Sequence, residues 1–322
     1  MAASPSSPLP RARGRGDTVD GSGESTLGHQ KPSLAADRGC AYSLSMLHFE
    51  TWGIVRRTMM ATPTVILIGA DKGGVGKTTV ARTLVDYLTA QGIPLRAFDT
   101  EAPKGALYRF HPKITEIVDV TEVLGQMRIF DTVSESNVTL IDVRAGLLSS
   151  TLHTLRNIEF IDSAKKGELT FVVFHILGSS ISSLNEITDL SSFTRDCKYF
   201  PVKNFINEAS FFEWHQATHS SYFKNFPDAV EITIPKLNER VYEQVEVASV
   251  PFVSFIANKN QNGETANYSF VQRGYVRHWL GQVWEEYDRI KLKDIVANGG
   301  TNTSRPRPQA VKLADASRKS ES

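Results

Sequence analysis

The segment Asp71-Lys-Gly-Gly-Val-Gly-Lys-Thr-Thr79 constrains this chain more than any other. It lies between a short β-branched run, Thr64-Val-Ile-Leu-Ile68, and a stretch with Ala81, Leu84 and Leu88 at helical spacing. Strand, glycine loop and helix in that order make a phosphate cradle. The spacing GxxxxGK[ST] is met from Gly76-Lys77-Thr78 backwards, except that Asp71 stands where the first glycine is usual. Gly73, Gly74 and Gly76 let the backbone curl until successive N–H groups, Val75 among them, face one anion. The helix that follows points its positive end at the same place. Lys77 is placed to reach the β- and γ-phosphates, Thr78 to offer its hydroxyl to Mg²⁺, and Thr79 to bond the α-phosphate.

The rest of the chain reads as strands alternating with helices. The spacing predicts a helix over Thr78–Gln91, closed by Gly92. Strands are expected at Pro94–Asp99, Val138–Asp142, Glu168–Leu177, Tyr199–Phe205 and Ala229–Pro235, and a long helical stripe over Ser269–Val296. Such alternation implies an α/β fold with a predominantly parallel sheet covered on both faces. Residues 1–60 are rich in Ser, Pro, Gly and Arg, and are expected to be a disordered extension. Met59 and Met60 leave open whether translation starts there. A single domain over 61–297 and a disordered tail over 298–322 complete the expected organisation.

Net charge is +1 overall, but 61–297 carries 24 basic and 28 acidic residues, a balance that does not favour a broad nucleic-acid surface. The two cysteines, Cys40 and Cys197, form no CxxC pair, so an iron–sulfur or zinc site within one chain is not expected. They fit a reduced, cytoplasmic setting. The longest apolar runs fall far short of the ~20 residues that a spanning helix needs, so no membrane association is expected.

Lys72-Gly-Gly-Val-Gly-Lys-Thr-Thr79 resembles the deviant loop of the ParA/MinD group of P-loop ATPases. The resemblance implies a P-loop NTPase three-layer sandwich, ATP and Mg²⁺ as cofactors, and an ATP-dependent homodimer in which Lys72 reaches the partner's nucleotide. Phe98-Asp-Thr-Glu101 follows the second strand, where that family usually has Asp-x-Asp. Asp99 matches the first acid, and Glu101 takes the place of the second, which helps to position the attacking water. Glu101 is one methylene longer, which implies slow hydrolysis. Leu140-Ile-Asp142 resembles the strand whose acid holds Mg²⁺ through water. Val143-Arg-Ala-Gly146 stands where the family has Thr-Pro-Pro-Gly, with Gly146 as candidate switch glycine and Arg144 either on the phosphates or on the surface. Asn204, with Asn207 as rival, and the Ile-Pro step ending at Pro235 correspond to positions beside the adenine.

The polar tail Thr301–Ser322 lacks the amphipathic helix of the MinD type. Phe98–Leu107 and Phe200–Asn207 are similar to small ParA-like proteins of conjugative elements, the TraL type. This implies a switch in plasmid partition or conjugative transfer, with a protein partner from such a system and DNA contact unsupported by charge. Phe211, Phe212, Trp214 and His215 are candidates for a partner surface or for core. Two other readings stay open: a small-molecule ATP-dependent enzyme of the dethiobiotin synthetase kind, and a nucleotide-binding module without turnover.

Overall fold

The computed structural model describes residues 62–178, 181–195, 197–205, 216–224 and 229–298. The expectations for 1–60, for the tail beyond 298, and for Cys40, Asn207, Phe211, Phe212, Trp214 and His215 lie outside these residues. The strands are β1 (Thr64–Gly69), β2 (Leu95–Asp99), β3 (Thr115–Ile117), β4 (Val138–Asp142), β5 (Thr170–Leu177), β6 (Lys198–Asn204) and β7 (Ile232–Ile234). They form one sheet in the order β3-β2-β4-β1-β5-β6-β7, and every pairing is parallel. The helices are α1 (Lys77–Ala90), α2 (Val123–Phe130), α3 (Leu148–Asn157), α4 (Phe160–Lys166), α5 (Ile181–Thr194), α6 (Gln216–Phe223), α7 (Glu239–Ala248), α8 (Phe252–Ile256), α9 (Phe270–Arg289) and α10 (Leu292–Asn298).

Alternation along β1 divides the core. Ile66 and Ile68 pack with Leu84 and Leu88 of α1, Val245 of α7 and Val283 of α9. Val65 and Leu67 face the other way, against Leu152 of α3, Ile161 of α4 and Ile187 of α5. Successive strand side chains point to opposite faces, so a strand buried on both sides needs an unbroken apolar run, and β1 and β5 are fully buried. The result is a three-layer α/β sandwich of the P-loop type.

Two expected elements differ, and one strand is additional. The strand expected at Ala229–Pro235 is only Ile232–Ile234, an edge strand paired with β6 alone. β3 was not foreseen. The stripe over Ser269–Val296 is two helices, because Lys291 takes φ 55° and breaks the ladder between α9 and α10. Ser269 caps α9, accepting from the Gln272 N–H.

The loop after β2 folds onto α1. Arg82 of α1 is 1% exposed, with its guanidinium between the rings of Phe110 and Phe252, 3.4 and 4.2 Å from their centroids. It donates to Glu246 of α7 at 2.5 Å, and Glu246 also accepts from Arg109 of the loop. His111 sits beside this cluster, its Nε2 3.9 Å from Asp86 Oδ1. That distance is too long for a hydrogen bond. Burial pushes the Asp86 carboxyl up to about 7 and, with Arg82 adding to it, the His111 imidazole down to about 3. Both groups are therefore neutral at mildly acidic pH rather than an ion pair.

The unfolded imidazole takes a proton near 6.5 and the folded one only near 3, so the unfolded state binds more protons between these values. Stability from this imidazole is lost as pH falls through that window, whereas the raised Asp86 carboxyl titrates in the opposite sense in parent and variant alike. His111→Met removes the liability. The variant should gain on the parent by about 1.6 kcal/mol between pH 6.5 and pH 5, since the unfolded imidazole is half-protonated at the upper value and the slope reaches about 1.4 kcal/mol per pH unit only below it. Urea unfolding at the two pH values checks this, and a pH-independent difference between the proteins would refute it.

Candidate functional site

The loop Ala70–Gly76 leaves β1 at the carboxyl edge of the sheet and enters α1. Gly74 and Gly76 have φ 74° and 84°, a region that L side chains rarely adopt. Gly76 is the N-cap of α1 and has no side chain to occupy the first N–H groups of the helix, so they are left for a ligand. A cleft of about 350 Å³ opens there, lined by Gly74, Gly76, Lys77, Thr78, Thr79, Asp99, Glu101, Asp142, Val143, Arg144, Ala145 and Tyr242. The structure thus gathers, from three separate segments, most of the residues that the sequence nominates.

Lys77 is 8% exposed and its Nζ donates to the Lys72 carbonyl at 3.3 Å. Burial lowers its pKa, while Asp142, Glu186, Glu101 and Asp71 pull it back up. Asp142, at the end of β4, is 3% exposed. Burial pushes its carboxyl up to about 8, with Asp99 adding to the rise and the hydrogen bond from Thr78 and the Lys77 charge opposing it. Its Oδ1 is buried and has no hydrogen-bond partner among the described residues. A divalent cation fits this arrangement, since an orphaned carboxylate oxygen beside a threonine hydroxyl is what a hard cation takes up. Among the described residues no group of three or more His, Cys, Asp or Glu side chains forms a metal cage. Water and phosphate oxygens would have to complete the shell.

Asp99 is used differently from the sequence expectation. Its carboxylate accepts from the backbone N–H groups of Glu101 (3.0 Å), Leu107 (2.5 Å) and Tyr108 (3.1 Å). Both oxygens are engaged in folding the loop after β2, and that loop presents the exposed Glu101 to the cleft. Arg144 is also exposed on the cleft wall, its N–H bonded to Thr100 Oγ1 at 2.8 Å. Gly146, two residues on, has φ 81°.

Lys72, Gly73, Val75, Asn204 and Pro235 stand outside the cleft lining. The Lys72 ammonium lies 3.3 Å from where a Cβ on Gly178 would be, so it rests against the end of β5 in its own chain. Gly73 is exposed, and Val75 is buried with its Cγ1 against the same glycine. Asn204 Nδ2 donates to the carbonyls of Val75 (2.8 Å) and Gly76 (3.4 Å), bracing the loop from below. The Pro235 carbonyl accepts from Trp279 Nε1–H at 2.7 Å.

Two side chains at the site were missed in the sequence. Tyr242 of α7 lines the cleft, and its hydroxyl lies 2.8 Å from Thr79 Oγ1. Glu186 of α5 accepts the N–H groups of Asp71 and Lys72, each at 3.0 Å. Neither lies in a motif, and no local signal marks them. Among the described residues no helix is long and apolar enough to cross a membrane.

No protein-family profile matches the chain, and no curated protein sequence does. Some solved structures are distantly similar to it. A nucleotide-binding protein of Archaeoglobus fulgidus in complex with ADP is 15% identical, over 59% of this chain and 88% of its own, with a TM-score of 0.39. A ParA family ATPase of Chlorobium tepidum TLS is 13% identical over 68% and 98%, with a TM-score of 0.42. The ATP complex of a Cyanothece McdA variant is 12% identical over 69% and 97%, with a TM-score of 0.38. Similarity at this level assigns no chemistry to this chain, which has to come from its own residues.

Proposed function

We propose that this protein is a Mg²⁺-dependent, ATP-binding switch of the ParA/MinD type that hydrolyses ATP slowly as a homodimer. The observation that carries the reading is the convergence of Lys77, Thr78 and Asp142 on one cleft at the N-terminus of α1. Lys77 and the N–H groups of the loop would hold the β- and γ-phosphates, Thr79 the α-phosphate, and Thr78 with Asp142 the cation. A bound Mg²⁺ would neutralise charge that develops on the phosphates. Glu101 would orient the attacking water, and Asp99 would hold the loop that carries it. Asn204 and Pro235 would flank the adenine. Lys72 would leave its rest beside Gly178 to reach a second copy's nucleotide, adding a cation where transition-state charge grows. We place this switch in the cytoplasm, in plasmid partition or conjugative transfer, acting with a protein partner of that system.

One observation favours a second reading. With both Asp99 oxygens spent on backbone amides, Glu101 is the acid left to serve the water. A module that binds nucleotide without turnover would also look like this.

Light scattering with ADP and with ATP plus Mg²⁺ separates the two, for the parent and for Lys72→Ala. The switch reading expects a dimer with ATP alone, weakened in Lys72→Ala or left unable to hydrolyse. A parent that ignores ATP, or a variant indistinguishable from it, would end that reading. Tight ATP binding with no phosphate release would select the module.

A further inference from the structure

The signature loop is held from outside by a buried polar chain that starts two strands away. Tyr199 of β6 places its hydroxyl 2.8 Å from His175 Nδ1, and His175 of β5, 0% exposed, places Nε2 3.1 Å from Glu186 Oε2. Glu186 then accepts the Asp71 N–H on Oε2 and the Lys72 N–H on Oε1. Because the carboxylate only accepts, His175 must carry its proton on Nε2. In the neutral imidazole Nδ1 then accepts from the Tyr199 O–H, and the chain runs in one direction: phenol to imidazole to carboxylate, which receives the loop.

The chain grips the residue that matters most to a switch. Lys72 is fixed through its N–H by Glu186 and through its carbonyl by Lys77 Nζ. The neighbouring Asp71 carboxylate is tied to the Ser149 N–H at the start of α3, at 3.1 Å, and to the Ser149 hydroxyl. A lysine whose peptide is held on both sides has a set direction of departure, so its ammonium reaches a phosphate without first ordering the backbone.

We propose that Glu186, itself oriented by His175 and Tyr199, is a positioning residue that sets the Lys72 peptide for its part in phosphate chemistry. This rests on the switch reading above. The requirement is for a carboxylate and not merely a polar group. Two peptide N–H groups arrive at two different oxygens, and a glutamine would turn an –NH₂ against one of them.

The test compares the parent with Glu186→Gln in two arms. In nucleotide-free protein, amide hydrogen exchange at Asp71 and Lys72 should accelerate by about tenfold or more, the effect of losing one charge-assisted hydrogen bond. With MgATP, turnover should fall about tenfold or more while ADP affinity stays within about threefold. Tyr199→Phe, which removes the phenolic donor and keeps the ring, should shift both readouts in the same direction by less. Should Glu186→Gln fail to fold, Tyr199→Phe decides by itself, and unchanged exchange in it refutes the chain. Exchange like that of the parent in Glu186→Gln, or parallel losses of turnover and ADP affinity, would also overturn the proposal. If the parent itself does not hydrolyse ATP, the switch reading fails alone, and the exchange arm still decides whether Glu186 pins the loop.

Discussion

Lys77→Met is expected to lower nucleotide turnover by about 10²–10³-fold, the usual effect of removing one preorganised charge from developing phosphate charge. The fold should survive, and the variant should unfold at a temperature no lower than the parent's. The argument comes from its surroundings. Lys77 is nearly buried, and burial disfavours its charged form, so the free protein keeps an ammonium at some cost to its stability. Methionine retains the stem and removes the charge. The Lys77 hydrogen bond to the Lys72 carbonyl, at 3.3 Å, orients that carbonyl but, being long, adds little to the stability of the fold. Function and stability should therefore move in opposite directions, as expected for a group held for its ligand. Phosphate release and thermal unfolding, measured on the same preparation, check this. Retained turnover would remove Lys77 from the site, and a large fall in unfolding temperature would make it structural.

Arg82→Ala is expected to destabilise the protein by about 3 kcal/mol. Arg82 fills the space between Phe110 and Phe252 and neutralises Glu246, so alanine leaves a gap between two rings and removes one of the two arginines on that carboxylate. Arg82→Met should recover about half of the loss, because a flexible apolar chain refills the gap without the charge. Denaturant midpoints at constant slope measure both. Losses below about 0.5 kcal/mol, the range of ordinary surface changes, would show that the ring sandwich contributes nothing. The change should also loosen the loop after β2, since Phe110 and Arg109 anchor it, and that loop carries Glu101.

The parts legible in the sequence were those written locally. The cradle could be read because strand, glycines and helix are consecutive, and α1 ends within one residue of expectation because Gly92, at φ 69°, stops it. β3 could not be read, since three residues show no periodicity. It exists through its pairing with β2. The break between α9 and α10 was hidden because a lysine, not a glycine, takes the left-handed conformation at 291. Tyr242 meets Thr79 of α1 from 163 positions away and Glu186 meets Asp71 of the loop from 115, so only the folded chain brings them there. Asp99 was recognised as an acid of the site, but its residue type gave no hint that three amides would claim it.

The strand order has a consequence for how the protein is made. β1 lies in the middle of the sheet, yet its neighbours are β4 and β5, with Thr64 opposite Val138 and Thr170. The apolar run Val65–Ile68 therefore leaves the ribosome with no partner on either side. At ~5–20 residues per second, roughly a hundred more residues take about 5–20 s to appear. During that time the future phosphate cradle hangs from an unpaired, aggregation-prone strand, and native pairing must then close long loops, which is slow. Nascent chains stalled before β5 should be targets for chaperones, and heterologous yield should respond more to translation speed between β1 and β5 than to changes elsewhere.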